Sequence, residues 1–389
     1  MPHPGTGCLP VVLRPTGCQS GADAQDLCHE DDVPEFRSAM LRRGSATGHR
    51  SASGSVPVLS ERRDLSTGGP GRWGDDVAVG SACSDVADAP GRGMNLAGVF
   101  DGRNAARGWR VRAKHLDDIA AAGFTTVRLP VCWWGYAQSS YPYRLDGRIL
   151  DAVEAVLGEA WARDLAVVLT MHHADAVYGD PQGSVDQLVA IWRQIAERFA
   201  AATGALAFEL LNEPHPPMTP GQWNALLPTV LGGVRDVDAN RLVVIGGAEA
   251  STIGSLRHLE LPPDDHLLAT VHYYQPFHFT HQGAPWQVGS AAWLGTGWGS
   301  AADRAAVTSD LAEAVAWSQR ARVPLYVGEF GALDRADQGS RVRWTHWVRR
   351  ELDRLGLPWA YWDFGTDFGA YDLGRHTWRQ DLLDALTRE

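Results

Sequence analysis

A (β/α)₈ barrel is the fold class this sequence predicts, on three observations. From Gly93 to the C-terminus, eight apolar runs alternate with eight segments of helical period over about 300 residues, the usual size of such a barrel. The runs are continuous rather than alternating, as in parallel strands buried on both faces. No glycine fingerprint follows the first run, which disfavours an open doubly wound sheet.

The strands are expected at 93–98 (GMNLAG), 125–130 (TTVRLP), 165–173 (LAVVLTMHH), 205–213 (ALAFELLNE), 241–247 (RLVVIGG), 267–274 (LLATVHYY), 323–330 (VPLYVGEF) and 358–364 (PWAYWDF). Between them the period of 3.6 predicts helices over 109–122, 149–163, 184–202, 220–237, a short piece near 251–259, 304–321, 338–355 and 379–388. The catalytic domain is therefore placed at 93–389. Residues 1–92 differ in texture. They are rich in Gly, Ser, Arg, Asp and Pro, without a sustained apolar period, and are expected to be a disordered extension.

Composition narrows the function. The net charge is −11, and a nucleic-acid partner would call for a basic face, so none is expected. No run of 18 apolar residues predicts a membrane span, and "LPVVL" near the N-terminus is too short for the apolar core of a signal peptide. Four of the five cysteines (Cys8, Cys18, Cys28, Cys83) precede residue 90 and only Cys132 follows. No CxxC or Cys/His metal spacing is present. Sixteen tryptophans are far above ordinary usage. Flat apolar faces suit the C–H-rich faces of sugar rings, and equally suit core packing.

In a (β/α)₈ barrel the active site lies at the C-terminal ends of the strands. Arg128 falls there on the second strand, His172 and His173 on the third, Asn212 and Glu213 on the fourth. The sixth carries His272 and Tyr274, the seventh Glu329, the eighth Trp362 and Asp363. Taken singly, Arg128 reads as a rim arginine in an ion pair, one of the two histidines as a satisfied core residue, Asn212 as a loop cap and Tyr274 as core. Glu213 and Glu329 resist such readings, because a carboxylate after an apolar strand needs a partner or a raised pKa. Two carboxylates facing each other across a cleft suggest glycoside hydrolysis, with their separation deciding between retention and inversion. Adjacent on a strand, His172 and His173 point to opposite faces unless the strand end twists, which argues against metal ligation. Trp133 and Trp134 either wall the cleft or pack on the first helix.

The motifs "LLNEP" (210–214), "VHYYQPF" (271–277), "YVGEFG" (326–331), "AYWDF" (360–364), "VRLP" (127–130) and "TMHH" (170–173) resemble, in order, those of glycoside hydrolase family 5. "HYYQPFHFTHQGAPW" followed by "WLGTGWGS" further resembles a bacterial endoglucanase and mannanase branch. The resemblance implies retaining hydrolysis, with Glu213 as acid/base and Glu329 as nucleophile. Asn212 would bind the sugar's 2-hydroxyl, and Arg128 and Tyr274 would hold the nucleophile. His272 would sit beside the acid/base, with His172 and Trp362 at the cleavage subsite and His173, His281 and Trp286 further along the cleft. One departure stands out: relatives often have "GNALE" after the first strand, and this chain has "AGVFD", with Gly98 and Asp101 at the differing positions. That bears on substrate range at the glycone side.

The expected activity is endo-cleavage of β-1,4-glucan, with glucomannan in range. Mannanase, exo-β-glucosidase and a non-catalytic carbohydrate-binding barrel are the alternatives. The expected partner is a β-linked glucan or mannan oligo- or polysaccharide, bound by a monomer without metal or other cofactor. A polymeric substrate implies export, yet no export signal is visible, which leaves action inside the cell on oligosaccharides open.

Overall fold

Eight parallel strands close on themselves in sequence order: β1 (Arg92–Asn95), β2 (Thr126–Val131), β3 (Ala166–Met171), β4 (Leu206–Glu209), β5 (Leu242–Gly246), β6 (Leu267–Tyr273), β7 (Leu325–Phe330) and β8 (Trp359–Tyr361). β1 pairs with both β2 and β8, which completes the (β/α)₈ barrel. This computed structural model describes residues 90–102, 110–202 and 205–388. The expected extension over 1–92 lies, up to residue 89, outside the described residues; Arg92 itself opens β1.

Helices cover the outside of the barrel: α1 (Ala113–Ala121), α2 (Gly147–Trp161), α3 (Pro181–Phe199), α4 (Pro220–Arg235), α5 (Ala301–Ala321), α6 (Gln338–Arg354) and α7 (Gln380–Thr387). Five of these seven starts have a side-chain cap. Asp146, Asp180, Thr219, Ser300 and Asp337 accept hydrogen bonds from the first free N–H groups of α2 to α6. Pro181 and Pro220 stand in the first turn, where a missing N–H costs nothing. The short piece expected near 251–259 is a 3₁₀ turn, Ile253–His258. A hairpin, Tyr371–Asp372 with Thr377–Trp378, precedes α7 and was not foreseen from sequence.

Apolar packing splits into two layers because strand residues alternate in direction. Residues facing outward join the helices in the large core. Those facing the barrel axis form a small separate cluster that includes Val168, Ala207, Leu268, Tyr326 and Ala360. Two residues further along, the inner layer turns polar at Thr170, Glu209 and Thr270, with Gly328 leaving space beside them. That change marks the floor of the cleft.

Candidate active site

Arg128 is the hub of the floor. Fully buried on β2, it uses all five of its N–H groups. Nε and Nη2 donate to the two oxygens of Glu209 at 2.7 Å each, Nη1 donates to Glu329 Oε1 at 2.7 Å and to Asn95 Oδ1 at 2.9 Å, and Nη2 also donates to Asn212 Oδ1 at 2.8 Å. Burial alone would lower the guanidinium's pKa; the charges of Glu209 and Glu329 outweigh it and keep the cation fixed.

Glu329 is buried on β7 and is held from three sides. Besides Arg128, Tyr274 Oη donates to its Oε2 at 2.8 Å, and His272 Nδ1 lies 3.4 Å from the same oxygen. Glu329 faces inward because β7 carries one extra residue against β6. Val271 pairs with Val327 but His272 pairs with Glu329, so Gly328 is the bulge. Burial pushes the Glu329 carboxyl above the usual carboxylate range, and Glu213's charge adds to it; His272, Arg128 and Tyr274 pull the other way.

Glu213 stands past the end of its strand. The sequence reading ran the fourth strand to residue 213, but β4 stops at Glu209. Beyond it, Leu210 N still bonds Val244 O at 3.1 Å and Asn212 N bonds Met171 O at 2.8 Å. Glu213 then takes a left-handed backbone conformation, φ 45°. That turn aims both Asn212 and Glu213 at the cleft although they are neighbours in sequence. Glu213 keeps 31% of its side chain exposed, against 5% for Glu329. Its Oε1 lies 2.7 Å from His272 Nδ1. Burial raises its pKa, but the hydrogen bond and charge of His272 outweigh this and hold it below the usual range. Burial lowers that of His272, and the charges of Glu329 and Glu213 outweigh that in turn and raise it. Both shifts favour a proton on His272 over one on Glu213 within the bond the two share.

The remaining candidates line the walls. His172 is buried and lies parallel to Trp362, centroids 5.7 Å apart at 10°. His173 packs edge-on to His172 at 4.2 Å. The strand geometry that separates adjacent side chains does not apply to this pair, since β3 ends at Met171 and His173 is left-handed, φ 56°. With buried Asp101 they bring three potential ligand atoms within 4.8 Å of one another, as do Glu213, His272 and Glu329. These are the groups among the described residues that could hold a cation. Asp101 Oδ2 accepts from Gly98 N at 3.0 Å, so it turns toward its own loop. His281 packs edge-on to Tyr274 at 4.9 Å, and burial lowers its pKa to about 4, which keeps it neutral. Trp286 sits further out, 41% exposed and 6.5 Å from His281. Trp133 is fully buried and belongs to the core, not to the cleft wall.

Sequence reasoning missed Glu209, the bidentate partner of Arg128. The signal was available: a lone charge inside "ALAFELL", a strand buried on both faces, needs a buried partner. It also missed Gly328, whose role depends on a register shift.

Residues 87–367 match the cellulase family (glycosyl hydrolase family 5). Endoglucanase H of Acetivibrio thermocellus is 33% identical over 278 residues, which are 70% of this chain and 30% of that protein. The chain thus spans less than a third of that relative's length. Endoglucanase C of the same organism is 28% identical over 72% of this chain and 91% of that protein. Among solved structures, endoglucanase Cel5A from the hyperthermophilic Thermotoga maritima superposes with a TM-score of 0.76 at 38% identity, covering 80% of this chain and 100% of that one. That enzyme has been solved in complex with cellobiose and with mannotriose. The chain belongs to the cellulase family of glycosyl hydrolases, family 5.

Proposed function

We propose that the protein is a retaining, endo-acting hydrolase of β-1,4-glucan, with Glu329 as nucleophile and Glu213 as acid/base. One observation carries the stereochemical part: the nearest oxygens of the two carboxyl groups, together with His272, lie within 4.8 Å of one another. An inverting pair stands roughly 6.5–9.5 Å apart to admit a water, whereas a retaining pair is about 5 Å apart. The hydrogen-bond partners and the exposure support the division of labour, while the pKa directions of the free protein, Glu329 up and Glu213 down, run against it. Glu329, the less exposed carboxylate, is fixed by Arg128 and Tyr274, as an ionised nucleophile needs. Glu213 is open to the cleft and tied to a proton source.

In the first step a Glu329 oxygen bonds to the anomeric carbon and the glycosidic C–O bond breaks. The proton held between His272 and Glu213 passes through Glu213 to the leaving oxygen. In the second step a water attacks the same carbon, Glu213 takes up its proton, and the bond to Glu329 breaks to restore the carboxylate. Asn212 lies beside Glu213 to engage a sugar hydroxyl, and Trp362 with His172 forms a flat wall. The names of the curated relatives support glucan as the substrate.

The test is product release from carboxymethylcellulose and from β-1,4-mannan side by side, with Glu329→Gln and Glu213→Gln as controls. Hydrolysis of the glucan is expected. It should be abolished in Glu329→Gln and reduced by about 10²–10⁴ in Glu213→Gln. Full turnover in either folded variant sinks the assignment, and preference for mannan moves the substrate.

A further inference from the structure

Among the described residues, the exposed large apolar side chains are Tyr141, Trp286, Val288 and Leu294, at 86, 41, 77 and 55% exposure. Scattered exposed apolar residues are ordinary, but three within a nine-residue stretch form a patch that asks for an occupant. All three lie on the excursion between β6 and α5. Residues 275–300 contain no Asp, Glu, Lys or Arg, in a chain where such residues make up 21%.

The excursion is braced as a rigid body. Gln282 is fully buried, donates through Nε2 to Phe279 O and Thr296 O at 2.9 Å each, and accepts from Gly295 N at 2.9 Å. One side chain thereby ties the two ends of the loop together. Ser290 Oγ adds a bond to Ala284 O at 2.7 Å. Its ring contacts also run without a break to the candidate nucleophile. Tyr274, bonded to Glu329, meets His281; His281 stacks on Phe277 at 4.0 Å; Phe277 meets Trp293 edge-on at 6.0 Å; and Trp293 stacks on His278 at 4.3 Å.

We propose that this braced, uncharged excursion is an outer binding platform for the neutral polysaccharide chain as it runs on beyond the cleavage point, with Trp293, Val288 and Leu294 as its contact surface. The choice of occupant rests on the substrate reading above and on two features of the platform. Its ring contacts lead into the cleft, and the excursion itself carries no charge, although the exposed Arg335 borders it beside Gly283 and Leu294. A preformed surface pays little ordering entropy on binding, so it adds affinity for chains long enough to reach it and nothing for short ones.

The experiment uses the full chain, with Trp293→Ala and the double variant Val288→Ser/Leu294→Ser, whose serines replace exposed groups. Retardation in a native gel containing hydroxyethylcellulose, with Glu329→Gln added to each chain for this assay alone so that the polymer is not cut, measures binding without hydrolysis. KM is then compared on that polymer and on an aryl cellobioside. We expect binding to the polymer to weaken at least fivefold and its KM to rise in step, while KM for the aryl cellobioside moves less than twofold. Equal changes on both substrates, or none on the polymer, overturn the platform. So does a wild-type dimer in sedimentation that the double variant abolishes, which would make a second copy the occupant. A wild-type protein that is retarded by the polymer but does not cut it leaves the platform standing and removes the hydrolytic reading.

Discussion

Arg128 spends every N–H it has, and replacing it with lysine would keep the charge but not the fork that grips Glu209. Removing Glu209 would leave a buried cation short of a partner, a loss of the kind that costs about 3–5 kcal/mol. Sequence alone placed Arg128, Asn212, Glu213, His272, Tyr274 and Glu329 at strand ends, because each is a polar residue in or just after an apolar run; in the structure Arg128 stands mid-strand in β2, and Asn212 and Glu213 lie beyond the end of β4. It could not yield the link between His272 and Glu213, since the two are 59 residues apart and meet only when the barrel closes. That link has a pH consequence. In the proposed mechanism, activity needs Glu329 ionised and one proton on the His272–Glu213 pair. Glu329 is raised above its ordinary 4.5, so the acid limb of kcat/KM should fall above that value. His272 is raised above 6.5, so the alkaline limb should fall above that value, activity being lost as the pair gives up its proton. In His272→Asn the proton must sit on Glu213 alone, and the alkaline limb should move down by about one unit or more. A limb that stays put removes His272 from proton supply.

At the scale of the element, β7 depends on its bulge. A β-carbon on Gly328 would stand 2.8 Å from Thr270 Oγ1 and 3.1 Å from His272 Nε2, on the inner face of the barrel. Gly328→Ala should therefore displace His272 from Glu213, cutting kcat roughly tenfold or more while costing about 1–3 kcal/mol of stability. Steady-state kinetics beside thermal unfolding checks this, and a wild-type kcat would show that the bulge is slack. The strands were legible as apolar runs and the helices as periodic ones. Their ends were not. β4 was read four residues too long because Leu210 and Leu211 continue the apolar run after the ladder has ended, and only the left-handed turn at Glu213 explains why two neighbours face one cleft.

For the molecule as a whole, closure of the barrel was legible because eight strands and their helices recur in strict order, and that order admits few topologies. The hairpin after β8 was not, having two short strands with no period to read. Overall stability carries a mark of the polar interior. Asp363 is fully buried, and burial, reinforced by the charge of Asp101, pushes its carboxyl up to about 7. Its folded pKa thus exceeds the ordinary 3.8, so the fold favours the protonated form. That contribution is complete below the ordinary value and is lost as pH rises through about 7. The difference amounts to roughly 4 kcal/mol at most. In Asp363→Asn, unfolding free energy from urea melts should exceed the wild-type value by a margin that grows between pH 4 and pH 8. Parallel pH curves for the two proteins would refute the assignment.

The bond from Arg128 to Asn212 Oδ1 has a last consequence for what the cleft accepts. The amide cannot turn over, because reversal would set its NH₂ against the guanidinium. No hydrogen bond among the described residues uses its Nδ2, so the floor at that point offers hydrogens and no lone pair. In the proposed mechanism a sugar hydroxyl would be received there by its oxygen and would keep its own hydrogen to give elsewhere, a direction of bonding set by an arginine that itself need never touch the sugar.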